Sequence, residues 1–232
     1  MNEILRCDNL YKRFGTKTAL NGLSLSIESG RIIGLLGPNG AGKTTFIKIV
    51  NGLLQPTSGN VYIEGEKPGV STKPKVSYLP DVNYLNNWMT VEQIVGMFAD
   101  FYEDFRPELA FNMISHLGID RKDKLKNLSK GNKEKVTLIL VMSRNAKLYI
   151  LDEPIAGVDP ATRDYIISTI INNYNPTASV LISTHLISDI EAVLDEVLFI
   201  KDGAIVLHDS VDNIRNAHSM SVDEYFREVF KW

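Results

Sequence analysis

The chain has 232 residues, 44% of them hydrophobic and 23% charged, enough for a sizeable buried core within a single domain. A formal net charge of −3 argues against a general nucleic-acid binder, which needs a basic surface. The one cysteine, Cys7, excludes an internal disulfide and fits a reducing compartment. No apolar run approaches the roughly 18 residues of a membrane span. Residues 1–6 do not read as a signal peptide, so any service to a membrane is expected from the cytosolic side, through a partner.

In chain order, residues 4–7 and 23–27 read as half-buried antiparallel strands, the second with strict alternation of Leu23, Leu25 and Ile27. Between them, Phe14 precedes Gly15 and has two readings: a ring laid flat against a purine base, or a strand-edge or core aromatic. Residues 32–36 form an apolar run of buried-strand length, and 45–50 carry apolar residues at helical spacing, stopped by Asn51-Gly52. Between that strand and helix lie Gly37, Pro38, Asn39, Gly40, Ala41, Gly42, Lys43 and Thr44, which fit G-x-x-x-x-G-K-[ST]. The glycines let backbone N–H groups converge on phosphate oxygens, and a helix N-terminus adds favourable partial charge. Lys43 is expected to reach the β- and γ-phosphates of a nucleotide, and Thr44 to give its hydroxyl to Mg²⁺.

Strands are expected at 60–63 and 76–79, the latter closed by Pro80-Asp81. The character then changes. Thr90 and Gln93 form a capping box for a helix reaching about Tyr102, Pro107 opens a second with Gly118 past its end, and Ser129 starts a third running to Met142. Residues 82–143 therefore read as a mostly helical insert in an α/β chain, able to form a lobe of its own. The α/β pattern resumes with a strand over 147–151, a helix capped by Asp159 with Pro160 in its first turn, and a buried strand over 179–183. A hairpin over 196–207 with its turn at Asp202-Gly203 and two short helices close the chain.

A phosphate loop needs a metal partner and a way to activate water. Asp152 ends an apolar strand, where a carboxylate emerges at the ligand-binding edge of a sheet, and suits Mg²⁺ held directly or through water. Glu153 follows at once and is the candidate general base for the attacking water. His185 also follows an apolar strand directly, within reach of a γ-phosphate or of that water's surroundings.

These motifs, in this order and over essentially the whole chain, resemble the ATPase subunit of an ATP-binding cassette (ABC) transporter. The resemblance implies a P-loop NTPase (RecA-like) core with an antiparallel β-subdomain and an inserted α-helical subdomain: one domain over 1–232, with core at 1–81 and 144–232 and helices at 82–143. It implies ATP and Mg²⁺ as cofactors, with Phe14 stacked on adenine, Gly37 to Thr45 on the phosphates, Glu153 and Lys43 in catalysis, and His185 as the switch histidine. Residues 128–132 stand at the family's signature, so Ser129 and Gly131 would contact ATP held by a second cassette facing head to tail. Thr44, Asp152 and Asp81 would be metal-side residues. The cassette would sit at the inner face of the membrane, pair with a like or different ATPase subunit, and power export of drugs or peptides through a separate transmembrane permease. Nucleic acid is not an expected partner.

Three positions depart from the family pattern: Lys130 where glycine is usual, Asn132 where glutamine is usual, and Asp81 where glutamine is usual. Retained binding with altered closure is the expectation at Lys130. Residues 84–89, with Tyr84 and Trp88, either line the groove for the permease or pack inside the helical lobe. The departures leave open an ATP-gated binding module with little hydrolysis. A soluble cassette acting on ribosomes or DNA is disfavoured by the single cassette, the lack of a heptad arm and the acidic balance.

Overall fold

A computed structural model describes residues 2–82 and 84–231; positions 1, 83 and 232, which fall within the expected domain bounds, lie outside the described residues. Two sheets form the frame. The smaller is antiparallel, in the order β2 (Lys17–Glu28), β1 (Glu3–Phe14), β4 (Ser58–Ile63). The larger runs β5 (Val76–Leu79), β6 (Leu148–Asp152), β7 (Ser179–Thr184), β3 (Ile32–Leu36), β8 (Glu196–Lys201), β9 (Ala204–Ser210), parallel except for the β8–β9 hairpin. This is the expected α/β frame with a separate antiparallel sheet.

The central strands are buried on both faces, which is why they read as continuous apolar runs and not as alternation. Their side chains still alternate between two cores. Leu148 and Ile150 pack with β1, β2 and α1 (Lys43–Val50), whereas Tyr149 and Leu151 face α4 (Lys130–Met142), α5 (Pro160–Asn173) and the tail helices. In β2, Leu23, Leu25 and Ile27 point inward as their spacing predicts.

The first two strands are twelve residues each, longer than the sequence pattern indicates. Register shifts between Cys7 and Leu10 and again before Lys12 break the two-residue period, so the pattern lapses while the ladder continues to Phe14. A short helix α6 (Ile187–Ile190) also has no sequence signature, being a single turn packed under α8 (Val222–Val229); α7 (Val211–His218) precedes it in the tail.

The helical insert comprises α2 (Val91–Phe101), α3 (Pro107–His116) and α4, with the expected Thr90–Gln93 capping box, Pro107 in the first turn and Ser129 as the cap of α4. It is not sealed off from the core. Val136, Ile139 and Leu140 of α4 belong to the insert's own apolar cluster, while Leu138, Val141 and Met142 belong to the core cluster. Arg144, 2% exposed, fixes the junction. Its guanidinium donates to Asp104 in the insert and to the carbonyls of Pro74 and Val76 at the start of β5, each within 3.0 Å, and stacks over Tyr102.

Arg144→Ala leaves Asp104 and those carbonyls without their shared donor, and breaking such a buried pair costs about 3–5 kcal/mol. Denaturant unfolding should place the variant's midpoint well below wild type at unchanged slope. A loss under about 1 kcal/mol would mean that the junction is held by apolar packing alone.

Candidate active site

Parallel register decides which loops meet. Asp152 pairs with Ser183 and Leu36 with Thr184, so β6, β7 and β3 end level and release their loops at one edge. The loop after β3 begins at Gly37, where a Cβ would lie 2.5 Å from the Ile200 carbonyl oxygen; only glycine lets it turn there. Gly42 has φ +111°, caps α1 without a side chain, and a Cβ on it would lie 2.6 Å from the Ala19 carbonyl oxygen. Gly40 has nothing within 4 Å of its Cβ direction and faces open space.

That loop borders a cavity of about 460 Å³. Pro38, Asn39, Gly40, Gly42, Lys43, Thr44 and Thr45 line it, with Phe14, Lys17 and Ala19 from the first hairpin and Asp81 and Glu153 from the strand ends. Phe14 sits at the end of β1 and is half exposed, so it is a strand-edge aromatic that also faces the cavity. Gly37 and Ala41 are turned inward and shape the loop from behind. Ser129 and Gly131 lie elsewhere, at the start of α4: the Ser129 hydroxyl caps the helix through the Asn132 N–H, and Gly131 packs on Thr162.

The charged groups are tightly set. Lys43, 6% exposed, donates to the Gly37 carbonyl at 2.7 Å and stands 3.7 Å from Glu153. Burial pushes its pKa down, with Glu153 and Asp152 opposing. Glu153 has φ +51°, a left-handed backbone that a non-glycine residue adopts at a cost of order 1 kcal/mol or more, and its carboxylate meets His185 Nδ1 at 2.9 Å. Asp152 is 1% exposed; one oxygen accepts from the Ser183 hydroxyl, and the other has no hydrogen-bond partner among the described residues. Burial raises its pKa, the Ser183 hydroxyl pulls it back, and Asp81 raises it further.

An unpartnered buried carboxylate oxygen, with the Thr44 hydroxyl near enough to favour its charged form, fits a hard divalent cation such as Mg²⁺. Sequence reasoning missed Ser183, which also lies within reach of the Glu153 N–H, because a serine inside an apolar strand carries no signal until the register is known. It also missed Lys17, whose only signal is its place across a tight turn from Phe14. The Lys130 ammonium approaches the Gly157 carbonyl at 3.4 Å and Glu134 at 3.8 Å.

A family model described as ABC transporter matches residues 20–156, which include the phosphate loop, Asp152 and Glu153. The chain belongs to the ABC transporter family. It is an ATP-binding ATPase subunit of that family. The SkfA peptide export ATP-binding protein SkfE of Bacillus subtilis is 31% identical over 210 residues, 88% of each chain. The lantibiotic transport ATP-binding protein SrtF of Streptococcus pyogenes is 29% identical over 227 residues, 94% of this chain and 95% of the relative. Among solved structures, an ATP-binding cassette of an ABC transporter in its ADP conformation aligns with a TM-score of 0.79 at 26% identity, over 99% of both chains. Among the described residues of this ATPase, no helix is long and apolar enough to cross a membrane.

For Asp152 the sign of the pH dependence follows from its raised pKa. Ionisation opposes folding, so the cost is absent below the unfolded pKa, about 4, and fully present above the folded one. Asp152→Asn should therefore raise the unfolding temperature of the nucleotide-free ATPase at neutral pH, by about 2–4 °C for each kcal/mol relieved. The advantage should shrink as pH falls through the carboxylate range. Scanning calorimetry of both proteins across that range checks this; a less stable variant at neutral pH would mean that the Ser183 bond outweighs burial.

Proposed function

We propose that this ATPase dimerises around two ATP molecules, hydrolyses them with Mg²⁺, and powers export of a peptide or drug through a separate membrane permease. It works as one ABC domain over 1–232, with the helices of 82–143 as a subdomain, at the cytoplasmic face of the membrane. The observation that carries the hydrolytic part is the convergence of Lys43 and Glu153 at a cavity bordered by the phosphate loop, with His185 hydrogen-bonded to Glu153. Export is supported by two relatives, SkfE being a peptide export protein and SrtF a lantibiotic transport protein.

In this reading Phe14 takes the adenine ring, and the loop amides from Gly37 to Thr45 hold the phosphates. Lys43 exchanges the Gly37 carbonyl for phosphate oxygens, which offsets the burial of its charge. Thr44 and Asp152 hold Mg²⁺, with Asp81 on the same side. Mg²⁺, when bound, neutralises charge building on the phosphates. Glu153 takes a proton from the attacking water as its bond to the γ-phosphorus forms, and ADP leaves. His185 holds the Glu153 carboxylate in place and supports the γ-phosphate. Ser129 and Gly131, remote from this chain's own cavity, are reserved for the ATP of a second cassette, whose phosphate would meet the N-terminus of α4.

The permease contact is proposed at a second cavity, about 550 Å³, lined by Lys48, Leu53, Val82, Tyr84 and Tyr102 and bounded by Asp81. Exposure of Tyr84 and Trp88 supports this contact, while Leu85 and Met89 are buried in the helical cluster.

Steady-state Mg-ATP hydrolysis, with and without the permease in lipid, is the test. Glu153→Gln should lower turnover by about 10²–10⁴-fold and accumulate an ATP-bound dimer visible by size-exclusion chromatography. Wild type that binds ATP yet turns over no faster than the variant would point to an ATP-gated binding module, with Asp81, Lys130 and Asn132 the positions to revert.

A further inference from the structure

The nucleotide cavity holds a second cation that the reading above leaves without a task. Lys17 opens β2 and pairs across the Gly15-Thr16 turn with Phe14, the last residue of β1. Opposed residues of an antiparallel pair project to the same face, and both line the cavity. The hairpin is fixed against the phosphate loop two residues further on. The Ala19 carbonyl lies where a Cβ on Gly42 or Gly203 would be only 2.6 or 2.7 Å away, so backbone meets backbone with no side chain between. Phe14 is braced by Lys12, whose ammonium donates to the Gln55 carbonyl at 2.8 Å and lies 5.0 Å from the ring centroid.

Lys17 has no such engagement. It is exposed, and its ammonium pairs with no carboxylate among the described residues. Lys43, by contrast, lies at the deep end of the loop, bound to Gly37 and close to Glu153. The cavity thus has a cation at each end, one inside the loop and one beside the aromatic platform. A nucleotide with its base on Phe14 and its terminal phosphates in the loop must run its α-phosphate past the Lys17 end.

We infer that Lys17 is a binding residue for the α-phosphate of the nucleotide, adding its ammonium to the neutral N–H donors that the phosphate loop presents there. The inference rests on the assignment of this cavity to ATP. It makes the first hairpin a two-part clamp, Phe14 for the base and Lys17 for the adjoining charge.

Affinities of the full chain for ATP, ADP, AMP and adenosine, from competition against a fluorescent ATP analogue, test it in wild type, Lys17→Ala and Lys17→Arg. Lys17→Ala should weaken all three phosphorylated ligands by a common factor of about five to ten, in the range of one charge-assisted hydrogen bond at a screened site. Adenosine should be unaffected, added salt should shrink the difference, and Lys17→Arg should restore most of it. Equal weakening of adenosine would overturn the inference, since the hairpin would then be acting on the base alone. Unchanged binding of all four ligands would overturn it as well. Wild type that fails to bind ATP at all would instead remove the ATP assignment and the inference with it.

Discussion

The site depends on one constraint, the level register of three parallel strands. Because Asp152 stands opposite Ser183 and Leu36 opposite Thr184, the loops that follow β6, β7 and β3 leave the sheet side by side. A two-residue slip would move Asp152 by about 7 Å along its strand and separate it from Thr44. The apolar burial of both faces resists any slip by an odd number of residues, which would exchange the two cores that alternate along each strand. Backbone contacts at Gly37, Gly42 and Gly203 then hold the phosphate loop and the first hairpin to this edge.

The protein is electrostatically unfinished at this edge. Asp152 is buried with one oxygen unpartnered, Lys43 leans on a backbone carbonyl, and Glu153 is held in a left-handed backbone conformation by its surroundings. Each arrangement costs folding free energy, and the first two are relieved by ligands of opposite charge. A phosphate alone would satisfy Lys43 but leave Asp152 exposed to another negative group. A divalent cation alone would satisfy Asp152 but leave the loop amides empty. The two charges therefore favour binding together, as a metal–nucleotide pair.

Asp81, α4 and Arg144 join the nucleotide edge to the helical insert. Asp81 borders the nucleotide cavity, the proposed permease groove and the cleft under α4. The helix α4 contributes to both apolar clusters, and Arg144 ties the insert to the start of β5.

By itself, the sequence determined the local elements and the chemistry of the main strip: the glycine loop with Lys43 and Thr44, the capping boxes, the apolar strands ending in Asp152-Glu153 and Thr184-His185. Those signals are legible because each comes from neighbours along the chain, through a backbone angle, a cap or a period. Contacts between distant positions were decided by the tertiary structure alone. Ser183 under Asp152, Lys17 in one cavity with the phosphate loop, Lys130 turned to Gly157, and Arg144 spanning the two lobes all depend on how distant segments pack. Their residue types are ordinary in sequence, and only long-range packing gives them neighbours with which to act.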